Sequence, residues 1–277
     1  MTGGTKKDDS LGRYSFPLFV PATRPERFAK AAASGADTII IDLEDAVGAA
    51  DKEAARSGLS DGMVGLSGAS VWIRINGVST PWHKGDLEAL NGLPIQGVMV
   101  PKAEGADMLS AIRSTLPDHV ALIALVETAA GIHKATEIAA HSDRMAFGSV
   151  DYALDMNCAS TREAFLFARS ALALAARVSG QLAPLDGVTT KTDDPDLVAA
   201  DAEHALALGF GGKMLIHPRQ LDPAKRAFAP SEADIIWARK VVDSTKDGTA
   251  VAVDGEMIDA PVLERARGIL ERQGVAS

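Results

Sequence analysis

The sequence predicts an α/β protein, a (β/α)8 TIM barrel with a C-terminal helical lid extension. Apolar runs of strand length alternate with helical patterns along the 277 residues, as in parallel βαβ units. Those runs are apolar almost without interruption, as strands covered on both faces are. Several also close on carboxylates: Ile39-Ile40-Ile41 leads into Asp42-Leu43-Glu44-Asp45, Leu125-Val126 into Glu127, and Ser149-Val150 into Asp151. In a parallel barrel the strand C-termini face the active site. Acids gathered there repel one another unless a cation sits among them.

The candidate strands are 17–22, 38–44, 71–76, 97–102, 121–127, 144–149, 182–186 and 212–217. The first is followed by a helix over 25–32, opening with Pro25 after Thr23 as its cap. Further helical patterns cover 51–59, 105–115, 131–140, 161–178 and 196–208, the last stopping at Gly209. Eight strand–helix units of this kind close into a barrel; an open doubly wound sheet is the competing arrangement. Beyond the eighth strand, 231–244 is helical, Lys246-Asp247-Gly248 is a turn, 250–253 is short and apolar, 254–261 is loop-like, and 262–272 is a last helix. The chain therefore reads as one domain over 1–277, with the barrel over about 14–230 and a lid or arm over about 231–277.

Composition excludes several classes. A net charge of -9 and a pI near 5.2, with no basic run beyond Lys6-Lys7, give no electrostatic footprint for nucleic acid. Cys158 is the one cysteine, so no internal disulfide is expected, and it reads as a packing residue rather than a nucleophile. Met1 to Ser10 has no apolar core of a signal peptide, and no apolar stretch is long enough for a membrane span. A cytoplasmic location is the expectation.

The chemistry is expected at the strand ends. Glu127 and Asp151 end consecutive strands, so their carboxylates lie side by side and suit Mg²⁺, which takes a few acids plus water and substrate oxygens. The alternative for each is a helix N-cap. Trp72, Arg74 and Asn76 share one strand face, and Val71, Ile73 and Ile75 the other. An inward arginine needs an anion, either a substrate carboxylate or the rim acids Asp42 and Glu44. Asp42, Glu44 and Asp45 would orient Arg74 or metal-bound water. Lys102 is either a Schiff-base amine or, held protonated by its acidic neighbours, a cationic contact for substrate. His217, before Pro218, reads as a structural strand end. The glycines of Gly209-Phe210-Gly211-Gly212-Lys213 precede a strand, the wrong side for a phosphate cradle.

At these residues the chain resembles the citrate lyase β-subunit-like (CitE-like) group of the HpcH/HpaI aldolase/citrate lyase superfamily. The matching segments run in order: Leu18-Phe19-Val20-Pro21-Ala22, Ile41-Asp42-Leu43-Glu44-Asp45-Ala46-Val47 with Lys52 and Ala55-Arg56, and Ile73-Arg74-Ile75-Asn76. Val100-Pro101-Lys102, Val126-Glu127-Thr128-Ala129 and Phe147-Gly148-Ser149-Val150-Asp151 follow. Gly209-Phe210-Gly211-Gly212-Lys213-Met214-Leu215-Ile216-His217-Pro218 and Asp254-Gly255-Glu256-Met257-Ile258-Asp259-Ala260-Pro261 complete the set. Asp45 stands where metal-dependent hydroxy-oxo-acid aldolases carry histidine, which favours the lyase-like branch.

The resemblance implies an enzyme, a Mg²⁺-dependent carbon–carbon lyase. It would cleave a β-hydroxyacyl thioester of the malyl-CoA, citramalyl-CoA or citryl type to a 2-oxo acid and an acyl thioester. It implies Mg²⁺ on Glu127 and Asp151, Arg74 on the oxo-acid end, and backbone amides near Gly148 and Ser149 on its carboxylate. Asp259 matches a lid aspartate that reaches a neighbouring subunit's site and would protonate the enolate, which makes a homotrimer or homohexamer the expected assembly. Condensation with hydrolysis on the same site, as in a malate synthase or thioesterase, is the alternative; a non-catalytic thioester-binding subunit is another. The substrate's carrier, CoA or a protein-borne arm, stays open.

Overall fold

Six of the expected strands form one parallel sheet in sequence order in a computed structural model that describes residues 12–244, 251–253 and 256–275. The leader from Met1 to Ser10, the turn at Lys246-Asp247-Gly248 and the pair Asp254-Gly255 lie outside the described residues. The strands are β1 (Leu18–Pro21), β2 (Thr38–Asp42), β3 (Ser70–Arg74), β4 (Gly97–Val100), β5 (Ala121–Val126) and β6 (Arg144–Phe147). All six stop one or two residues before the expected C-terminal end.

The sheet closes. Ala146 bridges to Leu185, Asp186 to Lys213, and Leu18 to Leu215, all in parallel sense. The expected seventh and eighth strands are thus present as single bridges rather than extended ladders, joined by bonds such as Leu185 N to Met145 O (3.0 Å) and Phe19 N to Leu215 O (2.8 Å). Closure into a ring rules out the open doubly wound arrangement.

Alternation along the strands sorts the side chains into two cores. Ile40, Trp72, Met99, Ile123, Ala146 and Met214 belong to a cluster inside the ring. Ile39, Ile41, Val71, Ile73, Val98 and Leu122 pack outward against the helices. Trp72 is wholly buried, and its register partner on β4 is Gly97.

The helices are α1 (Phe28–Ala32), α2 (Lys52–Ser57), α3 (Leu59–Gly62), α4 (His83–Ala89), α5 (Ala106–Arg113), α6 (Ala129–His133) and α7 (Ala135–Ala140). They continue with α8 (Ser149–Asp155), α9 (Arg162–Val178), α10 (Pro195–Ala207) and α11 (Leu221–Phe228). The expected helix over 131–140 is split at Lys134 into α6 and α7. Four helices depart from the sequence pattern for visible reasons. α3 is a four-residue continuation of α2. α4 has no apolar stripe, since its one buried residue is Asp86. α8 begins inside what reads as the sixth apolar run. α11 carries Pro223 in its first turn.

After the barrel, α12 (Glu232–Ser244) packs on α13 (Ala260–Glu271) through Ala238, Val241, Ala266 and Ile269. The expected loop over 254–261 is corrected in part: Glu256–Ile258 is a strand, antiparallel to Val251–Val253. Two strands of three residues each are too short to leave a pattern in the sequence. The far end of α13 meets the N-terminal side of the barrel, where Glu271 pairs with Arg13. No helix among the described residues is long and apolar enough to cross a membrane.

Candidate active site at the barrel mouth

The exits of β1, β2, β3, β5 and β6 converge on a cavity of about 390 Å³ lined by Phe19, Asp42, Arg74, Glu127, Gly148 and Asp151, among others. Arg74, the last residue of β3, is in register with Asp42, the last of β2. Its Nε and Nη2 donate to the two Asp42 oxygens, both at 2.7 Å. Its Nη1 lies 3.3 Å from Glu44 and 3.3 Å from Asp45, and its guanidinium carbon sits 4.8 Å from the centre of the Phe19 ring. Burial alone would lower the Arg74 pKa, but the charge and hydrogen bonds of Asp42, then Glu44 and Asp45, push it up instead. The arginine is a fixed cation with three acidic braces.

Asp42 is braced in turn. The backbone N–H groups of Glu44 and Ala46 donate to its oxygens at 2.9 and 3.1 Å. Both expected partners of Arg74 on the rim are therefore real, and donors left on Nη1 and Nη2 remain for an anion in the cavity.

Glu127 and Asp151 are not helix caps. Thr128 caps α6, accepting from Gly131 N, and Gly148 occupies the cap position of α8, with Asp151 in its first turn. Glu127 is buried, and one oxygen accepts the backbone N–H of Lys102 at 2.8 Å. Gly148 makes room for the other: a Cβ at that position would stand 2.2 Å from Glu127 Oε2. Burial, then the charge of Glu44, raise the Glu127 carboxyl to about 8, the Lys102 amide and ammonium partly opposing and Asp151 adding to the rise. Burial also raises Glu44, against the pull of Arg74.

Lys102 supplies the second cation. It turns out of the strand run with φ 48°, and its Nζ lies 3.1 Å from Glu44 and 3.2 Å from Asp151. Burial would lower its pKa, but Glu44, then Glu127 and Asp151, push it up. A protonated amine cannot open a Schiff base, so the geometry supports the cationic contact.

Five carboxylates, those of Asp42, Glu44, Asp45, Glu127 and Asp151, thus face two fixed cations, and one oxygen of Glu44 is buried without a hydrogen-bond donor. Among the described residues no group of three or more acidic, histidine or cysteine side chains forms a ready-made metal cage. Two oxygen-donor side chains with positions left open fit a hard divalent cation that keeps water and substrate oxygens. Ser149 is also brought to the cavity. The amide of Gly148 itself is taken by Val126 O at 3.0 Å, so the donors open to an anion there are those of the first turn of α8, beginning at Ser149.

Two residues lie elsewhere. His217 caps the turn at 218–220, its Nδ1 accepting from Arg219 N, as a strand-end residue does. Asp259 caps α13, accepting from Val262 N at 3.2 Å, and lines no part of this cavity. Phe19, the aromatic floor under Arg74, was not expected; its signal was its inward position two residues before Pro21 on β1.

The sequence model of the HpcH/HpaI aldolase/citrate lyase family matches residues 15–218, which include every strand of the barrel and every residue of this mouth. The chain belongs to that family. Within the family it is similar to a citrate lyase subunit beta-like protein of Mycobacterium tuberculosis (strain CDC 1551 / Oshkosh). They are 40% identical over 94% of this chain and 96% of that one. A (3S)-malyl-CoA thioesterase of Cereibacter sphaeroides (strain ATCC 17025 / ATH 2.4.3) is 35% identical over 94% of this chain and 92% of that one. The crystal structure of CitE from Mycobacterium tuberculosis in complex with magnesium, acetoacetate and coenzyme A superposes with a TM-score of 0.84. That chain is 38% identical, over 94% of this chain and 98% of its own length. Family membership agrees with the closed barrel and makes its C-terminal mouth the place to look for chemistry.

Proposed function

We propose that this protein is a magnesium-dependent carbon–carbon lyase that cleaves a β-hydroxyacyl thioester to a 2-oxo acid and an acyl thioester. The observation that carries the reading is the pairing of a triply braced arginine with an excess of carboxylates at one barrel mouth. The CitE relative holds magnesium, acetoacetate and coenzyme A, which supports the metal and the thioester.

Glu127 and Asp151 would hold the ion, which when bound would polarise the oxo group and offset the acid excess. Arg74 grips the oxo-acid end, Asp42, Glu44 and Asp45 keep it aimed, and the first-turn amides from Ser149 receive the carboxylate. In cleavage the β-hydroxyl passes its proton to a carboxylate of the mouth and the bond to the carbon next to the thioester breaks. The electron pair passes to the thioester as an enolate, which then takes a proton at carbon. Arg74 and Lys102 supply positive charge where the oxygens become more negative.

Asp259 is the proposed donor of that last proton, to the site of a neighbouring copy in a homotrimer or homohexamer. Two observations support this: Asp259 lines no part of its own chain's cavity, and Leu154, Phe167 and Leu174 are exposed apolar side chains on α8 and α9. Hydrolysis following condensation is the second reading, favoured by the likeness to the malyl-CoA thioesterase.

The test is a panel of hydroxyacyl-CoA thioesters assayed for 2-oxo-acid release with and without chelator. It is joined to thermal stabilisation by oxaloacetate, pyruvate or glyoxylate with Mg²⁺. Release that survives chelator, or equal stabilisation of wild type and Glu127→Gln, refutes the reading.

A further inference from the structure

Lys52 stands behind the rim rather than on it. It opens α2, a position where lysines ordinarily reach into water, yet its side chain turns inward and is 6% exposed. Its Nζ donates to the carbonyls of Leu43 at 2.7 Å and Glu44 at 2.6 Å. The same ammonium lies over the ring of Trp82, 5.3 Å from its centre. Those two carbonyls belong to the turn that presents Asp42, Glu44 and Asp45 to Arg74. The Glu44 carbonyl also accepts the Val47 N–H at 3.0 Å, so it is the buried Leu43 carbonyl that would be left unpaired without the ammonium.

A second anchor lies beside the first. Asp86 of α4 is wholly buried and accepts from Asn76 N (2.8 Å), Asn76 Nδ2 (2.6 Å) and Arg56 Nε (2.9 Å). It ties the exit of β3 to α4 and α2, as Lys52 ties the exit of β2 to α2. Arg74 is the last residue of β3, between the two tied exits.

We propose that Lys52 is a positioning residue: its ammonium fixes the peptide units of Leu43 and Glu44 so that the three acids hold Arg74 aimed into the cavity. Its consequence for the oxo acid rests on the lyase reading; its consequence for the turn does not. Lys52 touches nothing in the cavity and acts only through the turn.

The experiment compares wild type with Lys52→Met by hydrogen exchange, and by calorimetry with Mg²⁺ alone and with oxaloacetate in the presence of Mg²⁺. The amides of Glu44 and Ala46, which donate to Asp42, should exchange at least about tenfold faster in the variant. Oxaloacetate should bind about tenfold or more weakly, while Mg²⁺ alone binds within about twofold of wild type. Unchanged exchange at Glu44 and Ala46 overturns the proposal; so does an equal loss of Mg²⁺ and oxaloacetate affinity, which marks general collapse of the mouth. If wild type binds no oxo acid, the lyase reading fails and the exchange arm still decides the role of Lys52. If Lys52→Met does not fold, Trp82→Leu replaces it. That variant keeps the carbonyl bonds but removes the ring beneath the ammonium, so the same amides should exchange faster by a smaller factor, and no change there overturns the proposal.

Discussion

Arg74 and Asp42 face each other across neighbouring parallel strands and join by two 2.7 Å bonds. The pair is buried, so each partner carries a desolvation cost that the other chiefly offsets, with Glu44 and Asp45 helping Arg74 and two backbone amides helping Asp42. Asp42→Ala leaves the guanidinium short of its main brace, and we expect a loss of about 3 kcal/mol of stability. Arg74→Lys keeps the charge but loses the planar fork. The expected fall in kcat/KM for 2-oxo-acid release is about 100-fold or more with the fold intact. Denaturant melts and steady-state kinetics check both; a lysine variant within a few-fold of wild type would remove Arg74 from the proposed chemistry.

Glu127 gives a pH signature to the metal-free protein. Burial first, then the charge of Glu44, raise its carboxyl to about 8 from an ordinary 4.5. Between those values the folded chain holds a proton that the unfolded chain has released. The folded state therefore binds more protons, and stability falls as pH rises through the window. Glu127→Gln holds no such proton. In chelator, its stability should fall less steeply than wild type from about pH 5 to about pH 8. Parallel melting curves for the two proteins would show that Glu127 is not perturbed.

Gly148 tests the carboxylate seat by shape alone. Its backbone (φ -87°) suits any residue, so an alanine meets no conformational barrier, but its Cβ would stand 2.2 Å from Glu127 Oε2 and 2.5 Å from Glu127 Cβ. Gly148→Ala should push the carboxylate aside and weaken Mg²⁺ binding by about tenfold or more, with a smaller effect on melting temperature. Calorimetric titration of Mg²⁺ decides it; unchanged affinity would separate Glu127 from the metal.

Much of this was legible in the sequence because the physics is local. Strands covered on both faces show as unbroken apolar runs, and acids that interrupt such runs stand at their exits, which located Asp42, Glu127 and Asp151. Period-two alternation placed Trp72 and Arg74 on the inner face. What stayed hidden depends on contacts distant in sequence. α4 buries an aspartate instead of an apolar stripe. Lys52 resembles a surface lysine until its side chain is seen to turn back on β2. Lys102 looks like the end of a strand, but its φ of 48° swings it across the mouth between Glu44 and Asp151. Asp259 matched a family segment, yet no local pattern says that it caps α13 and lines no part of the mouth cavity.

The last prediction concerns the barrel floor on which the site rests. Trp72 fills the ring because its register partner on β4 is Gly97. A Cβ on Gly97 would stand 2.2 Å from the indole ring. The clash is with a wholly buried side chain, so neither group has room to retreat. Gly97→Ala should therefore destabilise by about 1–3 kcal/mol through overpacking. Trp72→Leu alone should cost at least as much by leaving a cavity. In the double variant the alanine methyl enters the space the indole vacated, so the combined loss should be smaller than the sum of the two single losses. Chemical denaturation of the four proteins closes the cycle. Strict additivity would mean that Gly97 and Trp72 do not share the barrel interior as the register of β3 and β4 places them.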